Sequence, residues 1–294
     1  MDGICLFLNG DRGVCVLREL LYQGHNVIQV ILPQGKRGSD IALDVEDMNI
    51  ATYYCYSVKE ASFHKWFYDL NPNIAIVAGY SDIFPQYLVD IPFLGTINLH
   101  AGDLPFYRGG SPLNWQIING ETHAGLSVIQ MDAGIDTGDI LSKAEIPILK
   151  DSNIGQLHAQ ANQIFPSLVL EALSLLERGE QGTPQDIKFA AYWHQRSDAD
   201  GQIFWRDMSA QQVHDQVRAL SFPYPGAFSR LGEDVVRITQ SELLEKDFCG
   251  VPGRILSVQR QGPIVICRDK GLLLKEYHFE SNSSRQLNHG DRFD

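Results

Sequence analysis

Paired cysteines are missing from this chain. Its five cysteines, Cys5, Cys15, Cys55, Cys249 and Cys267, are odd in number, scattered, and never spaced C-x-x-C. That argues against a disulfide framework and a cysteine-ligated zinc site, and for buried free thiols in a reducing compartment. Long apolar runs are missing as well: none approaches the ~18 consecutive residues that a membrane span needs. The N-terminal MDGICLFLNG carries an acid at position 2 and no basic stretch before its apolar residues. It reads as the first core strand of a cytoplasmic protein, not as a secretion signal. The chain also has little positive charge. Its net charge is −12, of which the residues from Asp200 onward carry −1 and residues 1–199 carry −11. Without a basic block to neutralise phosphates, neither a nucleic-acid partner nor a membrane surface is expected. No repeat or low-complexity tract occurs. The first turn, Asn9-Gly10-Asp11-Arg12-Gly13, is no G-x-G-x-x-G fingerprint and sets an acid where a pyrophosphate would sit, which argues against a dinucleotide site there.

What remains is an ordinary globular composition, 44% apolar and 20% charged over 294 residues, long enough for one large domain and a smaller one. Apolar runs at Ile4–Leu8, Asn26–Leu32, Ala51–Tyr56 and Asn73–Ala78 read as strands. Helical spacing lies between them at Val14–Tyr22 and at Ser57–Leu70, the latter with Ser57 as N-cap, and the polar Pro33–Asp47 reads as a loop. This alternation predicts an α/β fold with a doubly wound, mostly parallel sheet. Ligands in such sheets sit beyond the carboxyl ends of the strands, where Gly79–Asp82 and Asn98–His100 fall. Ile140–Leu149 can form a strand. Asp151 or Ser152 then caps a helix reaching Arg178, which Pro166 should kink or split. A helix at Ala210–Leu220, entered through Ser209, precedes short strands at Val235–Thr239, Arg254–Val258, Pro263–Cys267 and Gly271–Phe279. Their Gly and Pro turns predict a β-barrel of about 85 residues. The expected domains are 1–187, a linker 188–205, and 206–294.

The stretch Thr96–Ile140 concentrates the chemistry. Alternation along a strand places Asn98 and His100 on one face, and the turn Asp132-Ala133-Gly134-Ile135-Asp136-Thr137-Gly138 can deliver an acid beside them. An amide, an imidazole and a carboxylate together make a candidate catalytic centre. Ile135-Asp136-Thr137-Gly138 also matches the aspartic-protease triplet, but that chemistry needs two such loops and the chain has one. The remaining histidines are isolated and read as surface or core residues. Asn282-Ser283-Ser284 is a glycosylation sequon, without consequence in the cytoplasm.

These residues bring the chain close to a known family. Asn98-Leu99-His100, then Leu104-Pro105-Phe106-Tyr107-Arg108-Gly109, then Asp136-Thr137-Gly138 closely resembles the folate-dependent formyltransferases, which carry an Asn-x-His strand, an L-P-x-Y-R-G-like loop and a D-x-G turn in this order. The similarity continues through Asn119-Gly120-Glu121 and Gly125 and returns at Tyr224-Pro225-Gly226-Ala227-Phe228. The resemblance implies a Rossmann-like catalytic domain, a C-terminal domain resembling an OB-fold barrel, and 10-formyltetrahydrofolate as formyl donor. It implies catalytic roles for Asn98, His100 and Asp136, and a folate site along Gly79, Tyr80, Ser81, Asp82, Ile83 and Phe84 and at Gly134, before Asp136. A neutral amine attacks the formyl carbon in this chemistry. Asn98 can donate to the developing oxyanion, a role worth about 3–4 kcal/mol. His100 suits proton transfer near neutrality, and Asp136 can orient the imidazole. Neither a metal nor a covalent intermediate is required.

Within the resemblance, the acceptor is read from the loop Arg108-Gly109-Gly110-Ser111-Pro112-Leu113-Asn114-Trp115. Ser-Pro-Leu-Asn-Trp is similar to the enzymes that formylate nucleotide-linked amino sugars, whereas the methionyl-tRNA enzymes typically carry two alanines before the proline. The expected substrate is therefore a dTDP- or UDP-linked amino sugar of cell-surface polysaccharide (O-antigen, lipopolysaccharide) biosynthesis, with methionyl-tRNA as the alternative. Tyr107, Arg108, Gly109, Ser111 and Asn114 are expected to meet it. Trp193 would stack its base, and Arg196 and Arg218 would hold its diphosphate. A formyltetrahydrofolate hydrolase shares the Asn, His and Asp, but carries its extra domain N-terminally. A silent folate-binding protein would not need all three. A homodimer is compatible with the sequence.

Overall fold

The computed structural model describes residues 1–294 except Ser81, Asn282 and Ser283, together with the side chains of Lys36 and Arg37. The sequon Asn282-Ser283-Ser284 therefore lies largely outside the described residues. The chain divides into two compact units. One comprises Met1–Pro112, Gly125–Ile146 and Ala159–Tyr192; the other comprises Leu113–Ala124, Pro147–His158 and Trp193–Asp294.

The elements run β1 (Ile4–Leu8), α1 (Asp11–Tyr22), β2 (Val27–Pro33), α2 (Lys36–Val45), β3 (Thr52–Cys55), α3 (Ala61–Leu70), β4 (Ile74–Ala78), α4 (Gln86–Val89), β5 (Thr96–His100), β6 (Arg108–Gly109), α5 (Pro112–Ile118), β7 (His123–Gln130), β8 (Ile140–Pro147), α6 (Ile154–Glu177) and β9 (Tyr192–Trp193). The central sheet has the order β3-β2-β1-β4-β5-β7-β8. β1 to β5 are parallel, and β7 turns antiparallel against β5. β1 and β4 are buried along their whole length, which is why they read as unbroken apolar runs rather than alternating ones. Phe7 gathers Phe63, Phe67, Tyr80 and Phe84 edge-on, with ring centroids 4.8–6.1 Å away. This aromatic cluster fastens the segment after β4 to the sheet.

Three expectations change here. The polar stretch Pro33–Asp47 is not a loop: α2 occupies most of it, burying Ile41 and Val45 one turn apart, a stripe too narrow to register as periodicity. α3 starts four residues later than expected, after Glu60, because the Ser57 hydroxyl instead accepts the Lys59 N–H in a turn of its own. α6 runs through Pro166 without splitting. Buried Phe165, Leu168, Val169 and Ala172 flank the proline, and their packing outweighs one missing backbone hydrogen bond. Its N-terminus is capped by Asn153, which trades hydrogen bonds of 3.0 Å with Gln156.

In the second unit α7 (Ala210–Ala219) precedes β10 (Ala227–Leu231), β11 (Asp234–Leu243), β12 (Ile255–Gln259), β13 (Gly262–Ile266) and β14 (Gly271–Phe279). The strands form one antiparallel sheet in the order β10-β11-β14-β13-β12. Ser209 caps α7 in a reciprocal pair with Gln212. Ile203 and Trp205, in the stretch read as a linker, are core residues of this unit. Trp205 stacks on Phe293 at 5.3 Å and donates its indole N–H to Ser229 Oγ at 2.8 Å. Among the described residues no helix is long and apolar enough to cross a membrane, and no group of three His, Cys, Asp or Glu is arranged to hold a metal ion.

Candidate active site

β5 ends at the carboxyl edge of the parallel sheet with Asn98 and His100 on one face, while Ile97 and Leu99 are buried on the other. Pairing on both sides fixes this register: Asn98 lies opposite Val77 of β4 and Ile129 of β7, and His100 opposite Ser127. The loop after His100 then folds back, so that His100 Nε2 donates to the Tyr107 carbonyl at 2.6 Å. With that nitrogen occupied, Nδ1 is the one left to exchange a proton. Its side faces Asp136, whose Oδ1 lies 3.5 Å away. Gly102 stands where the loop passes the ring. A Cβ there would lie 2.5 Å from His100 Nε2 and 2.6 Å from Tyr107 O, so only glycine fits beside the bonded imidazole.

Asp136 sits at a positive φ of 53°, which non-glycine residues adopt sparingly and which marks a constrained turn. Its carboxylate reaches both strand residues and the loop. Oδ1 accepts from Asn98 Nδ2 at 3.4 Å, and Oδ2 accepts the Gly109 N–H at 2.9 Å. The structure thus brings Asn98, His100 and Asp136 together, with Gly109, the last residue of the L-P-x-Y-R-G-like loop, tied to the same carboxylate. A residue not singled out in the sequence holds the turn. Gln185 donates its amide N–H groups to the carbonyls of Asp136 and Gly138 at 2.9 and 2.7 Å. Its Oε1 accepts from Arg108 Nε and Nη2 at 3.1 and 2.8 Å. Gln185 lies 49 residues beyond Asp136, and a bridge between Ile140 and Thr183 returns the chain to the turn. Nothing local in Thr183-Pro184-Gln185 announces this pairing.

Beside β5, the end of β4 leads into Gly79–Phe84. Phe84 is buried, Ile83 is exposed, and Asp82 accepts the Val58 N–H at 3.3 Å. Burial pushes the Tyr80 hydroxyl above its usual pKa range and the neighbouring Cys55 thiol up to about 11, so both stay protonated near neutrality. Ser81 lies outside the described residues. Gly134 belongs to the Asp136 turn, its N–H given to Asp132 Oδ1 at 3.0 Å.

The residues expected to meet an acceptor divide between the units. In the first, Tyr107 is buried and offers its carbonyl to His100; Arg108 is buried against Gln185 and Tyr192, whose hydroxyl it contacts at 3.0 Å and whose ring it covers at 5.5 Å. Ser111 takes a positive φ of 51°. In the second unit Asn114 is buried and donates to the Ala219 carbonyl at 2.8 Å. Trp193 lies 5.0 Å from Trp115, over whose ring Arg196 sits at 4.8 Å. Arg218 pairs with Asp215 at 2.8 Å and donates to the carbonyls of Leu149 and Ser152 at 3.1 and 3.0 Å. Its guanidinium is spent on holding the unit together.

Two family models match the chain. The model described as formyl transferase covers residues 21–173, and the formyl transferase C-terminal domain covers 196–288. The methionyl-tRNA formyltransferase of Citrifermentans bemidjiense is 34% identical, over 97% of this chain and 91% of its own. Among solved structures, an N-formyltransferase from Helicobacter canadensis, in complex with folinic acid and dTDP-3-aminofucose, superposes with a TM-score of 0.73 at 16% identity, over 95% of this chain and 100% of its own. The methionyl-tRNA formyltransferase from Clostridium thermocellum superposes with a TM-score of 0.61 at 20% identity, over 83% and 94%. At those identities the superpositions show a shared fold. The matched models and the full-length sequence similarity establish more: the chain belongs to the formyl transferase family.

Proposed function

We propose that this protein transfers the formyl group of 10-formyltetrahydrofolate to the amine of methionyl-tRNA. The observation that carries the acceptor is similarity over the whole length. Six relatives, 31–34% identical over 92–97% of this chain, are all methionyl-tRNA formyltransferases. This corrects the nucleotide-linked amino sugar expected from the loop Ser111–Trp115. Five residues had been weighed there against a pattern spread over the entire chain. The acidic net charge was a poor guide for a related reason, since it sums the whole surface while an acceptor meets one part of it.

The chemistry follows from the site. Asn98, near the carboxyl end of β5, offers an amide N–H to the formyl oxygen as it gains charge. The acceptor amine attacks the formyl carbon, a C–N bond forms, and a tetrahedral oxyanion results. His100, anchored through Nε2 on Tyr107, takes the proton from the new ammonium at Nδ1, and Asp136 fixes the ring for it. Collapse breaks the bond between the formyl carbon and the donor nitrogen, which leaves with a proton. Folate would lie along the residues that follow β4, next to β5, where exposed Ile83 offers apolar surface to a flat ring.

The test supplies purified full-length protein with 10-formyltetrahydrofolate and, separately, methionyl-tRNA and dTDP- and UDP-linked amino sugars. Formylmethionyl-tRNA is the expected product. Formylation of a sugar with methionyl-tRNA left untouched would overturn the acceptor, and no transfer to any of them would overturn the activity.

A further inference from the structure

We infer that Gln185 is a positioning residue for formyl transfer: its amide locks the Asp136 turn to the Arg108 loop and thereby sets where the Asp136 carboxylate meets His100 and Asn98. The inference rests on the reading of Asp136 as part of the active site, and it extends that site to a residue 49 positions away in sequence.

Three features lead to it. The first is the strength ordering around Asp136. Its carboxylate reaches Asn98 and His100 at 3.4 and 3.5 Å, distances too long to define where it sits. The two bonds from Gln185 to the backbone of the turn are 2.9 and 2.7 Å. The backbone clamp, with the Gly109 N–H at 2.9 Å, therefore decides where the carboxylate lies. The second is the left-handed backbone of Asp136 itself, at φ 53°, a conformation that persists where surrounding bonds over-determine it.

The third is chemical. Backbone carbonyls only accept hydrogen bonds, and a guanidinium only donates them. A side chain joining the Asp136 and Gly138 carbonyls to Arg108 must carry a donor at one point and an acceptor at the other. Glutamine does both. Glutamate would turn an acceptor toward two carbonyls, and lysine would turn a donor toward Arg108. Arg108 is in turn held by the Tyr192 hydroxyl at 3.0 Å and by the ring beneath it, so Gln185 is braced against a buried partner.

Full-length Gln185→Met, Gln185→Glu and Asp136→Asn proteins test this with 10-formyltetrahydrofolate and methionyl-tRNA. Met keeps the shape and loses both sets of bonds; Glu keeps the Arg108 bonds and loses the donation to the turn. Both Gln185 variants should lose about 10- to 100-fold in kcat, with KM for each substrate within about twofold, as expected when a reacting group is displaced but binding is not. A thermal melt of each variant, run beside the kinetics, separates a loss of rate at an assay temperature well below Tm from unfolding. Wild-type kcat in Gln185→Glu would overturn the inference. So would a crystal structure of Gln185→Met with the Asp136 turn and carboxylate unmoved, a readout that needs no acceptor. Asp136→Asn separates the two levels. If it keeps full kcat, the reading of the active site fails. If it is inactive while both Gln185 variants are fully active, the positioning role alone fails.

Discussion

Replacing Gly102 with alanine should cost this protein more in catalysis than in folding. The new methyl carbon would sit 2.5 Å from His100 Nε2, 2.9 Å from Cδ2 and 2.6 Å from Tyr107 O. Side-chain carbons do not approach other atoms closer than 3.0 Å, so the ring and the carbonyl must separate from it by about half an ångström or more. Neither can yield freely. The ring is 5% exposed and flanked by Asp136, and Tyr107 O belongs to the backbone of a loop whose next residue is bonded to Ala191. Gly102 has an ordinary φ, so crowding is the whole effect. Overpacking of this kind typically costs about 1–3 kcal/mol, which lowers Tm by about 2–4 °C per kcal/mol in a unit of this size. The 2.6 Å bond from His100 to Tyr107 lies in the path of the methyl group, and displacing the imidazole proposed above to carry the proton by a fraction of an ångström to 1 Å should cost about 10- to 100-fold in rate. Steady-state kinetics and a thermal melt of Gly102→Ala measure both. A variant with kcat within about twofold of the wild type and an unchanged Tm would refute the idea that the loop anchors the ring.

Asn98→Ala should lower kcat by about 10²- to 10³-fold, the range for losing one oxyanion donor, with little change in KM; an equal loss in KM and none in kcat would show that Asn98 only binds. His214 is buried, with Ser241 Oγ 2.9 Å from Nδ1 and the Lys150 carbonyl 3.3 Å from Nε2. Burial foremost, and the Arg218 charge next, lower its pKa against the opposing pull of Lys150 O, Asp215 and Asp151. Below the unfolded value of about 6.5 the unfolded chain takes up a proton that the folded chain refuses. The stability His214 provides is therefore full above that pH and falls as pH drops toward the folded value. Melts from about pH 8 to about pH 5 should show this loss, and His214→Gln should flatten it. Trp205→Phe removes the indole donor to Ser229 and should destabilise the second unit by about 1–3 kcal/mol, read as a lower urea midpoint.

Much of the first unit was legible because its strands are short and punctuated by turns, and β1 and β4 are wholly apolar. Asn98 and His100 could be placed on one face from alternation alone, since that depends only on the geometry of a strand. An acid from the Asp132–Gly138 turn could be expected beside them, and the family's D-x-G motif picked out Asp136 rather than Asp132 as that acid. Gln185 could not be found, because two of its partners are backbone carbonyls, which leave no trace in residue type, and the third, Arg108, lies 77 residues upstream. Arg218 looked like a phosphate ligand for the converse reason: a sequence shows a charge but not the Asp215 three residues back that engages it. α2 was hidden by a stripe of two buried residues, and the continuity of α6 by a proline whose local cost is real but smaller than the packing around it. The acceptor was misjudged on five residues of one loop.

The division of the chain into units has a practical consequence for dissecting this protein. Leu113–Ala124 and Pro147–His158 pack with the residues from Trp193 to the C-terminus, although they lie far upstream of them. Asn114 gives its amide to Ala219, and Arg218 ties down the carbonyls of Leu149 and Ser152. A fragment ending near residue 187 would carry both segments without the partners that satisfy them, leaving buried polar groups and apolar side chains in water. Truncation there is thus a poor way to isolate the first unit, and point substitution is the better tool. A protease nick between the halves would yield two pieces that stay together until denatured.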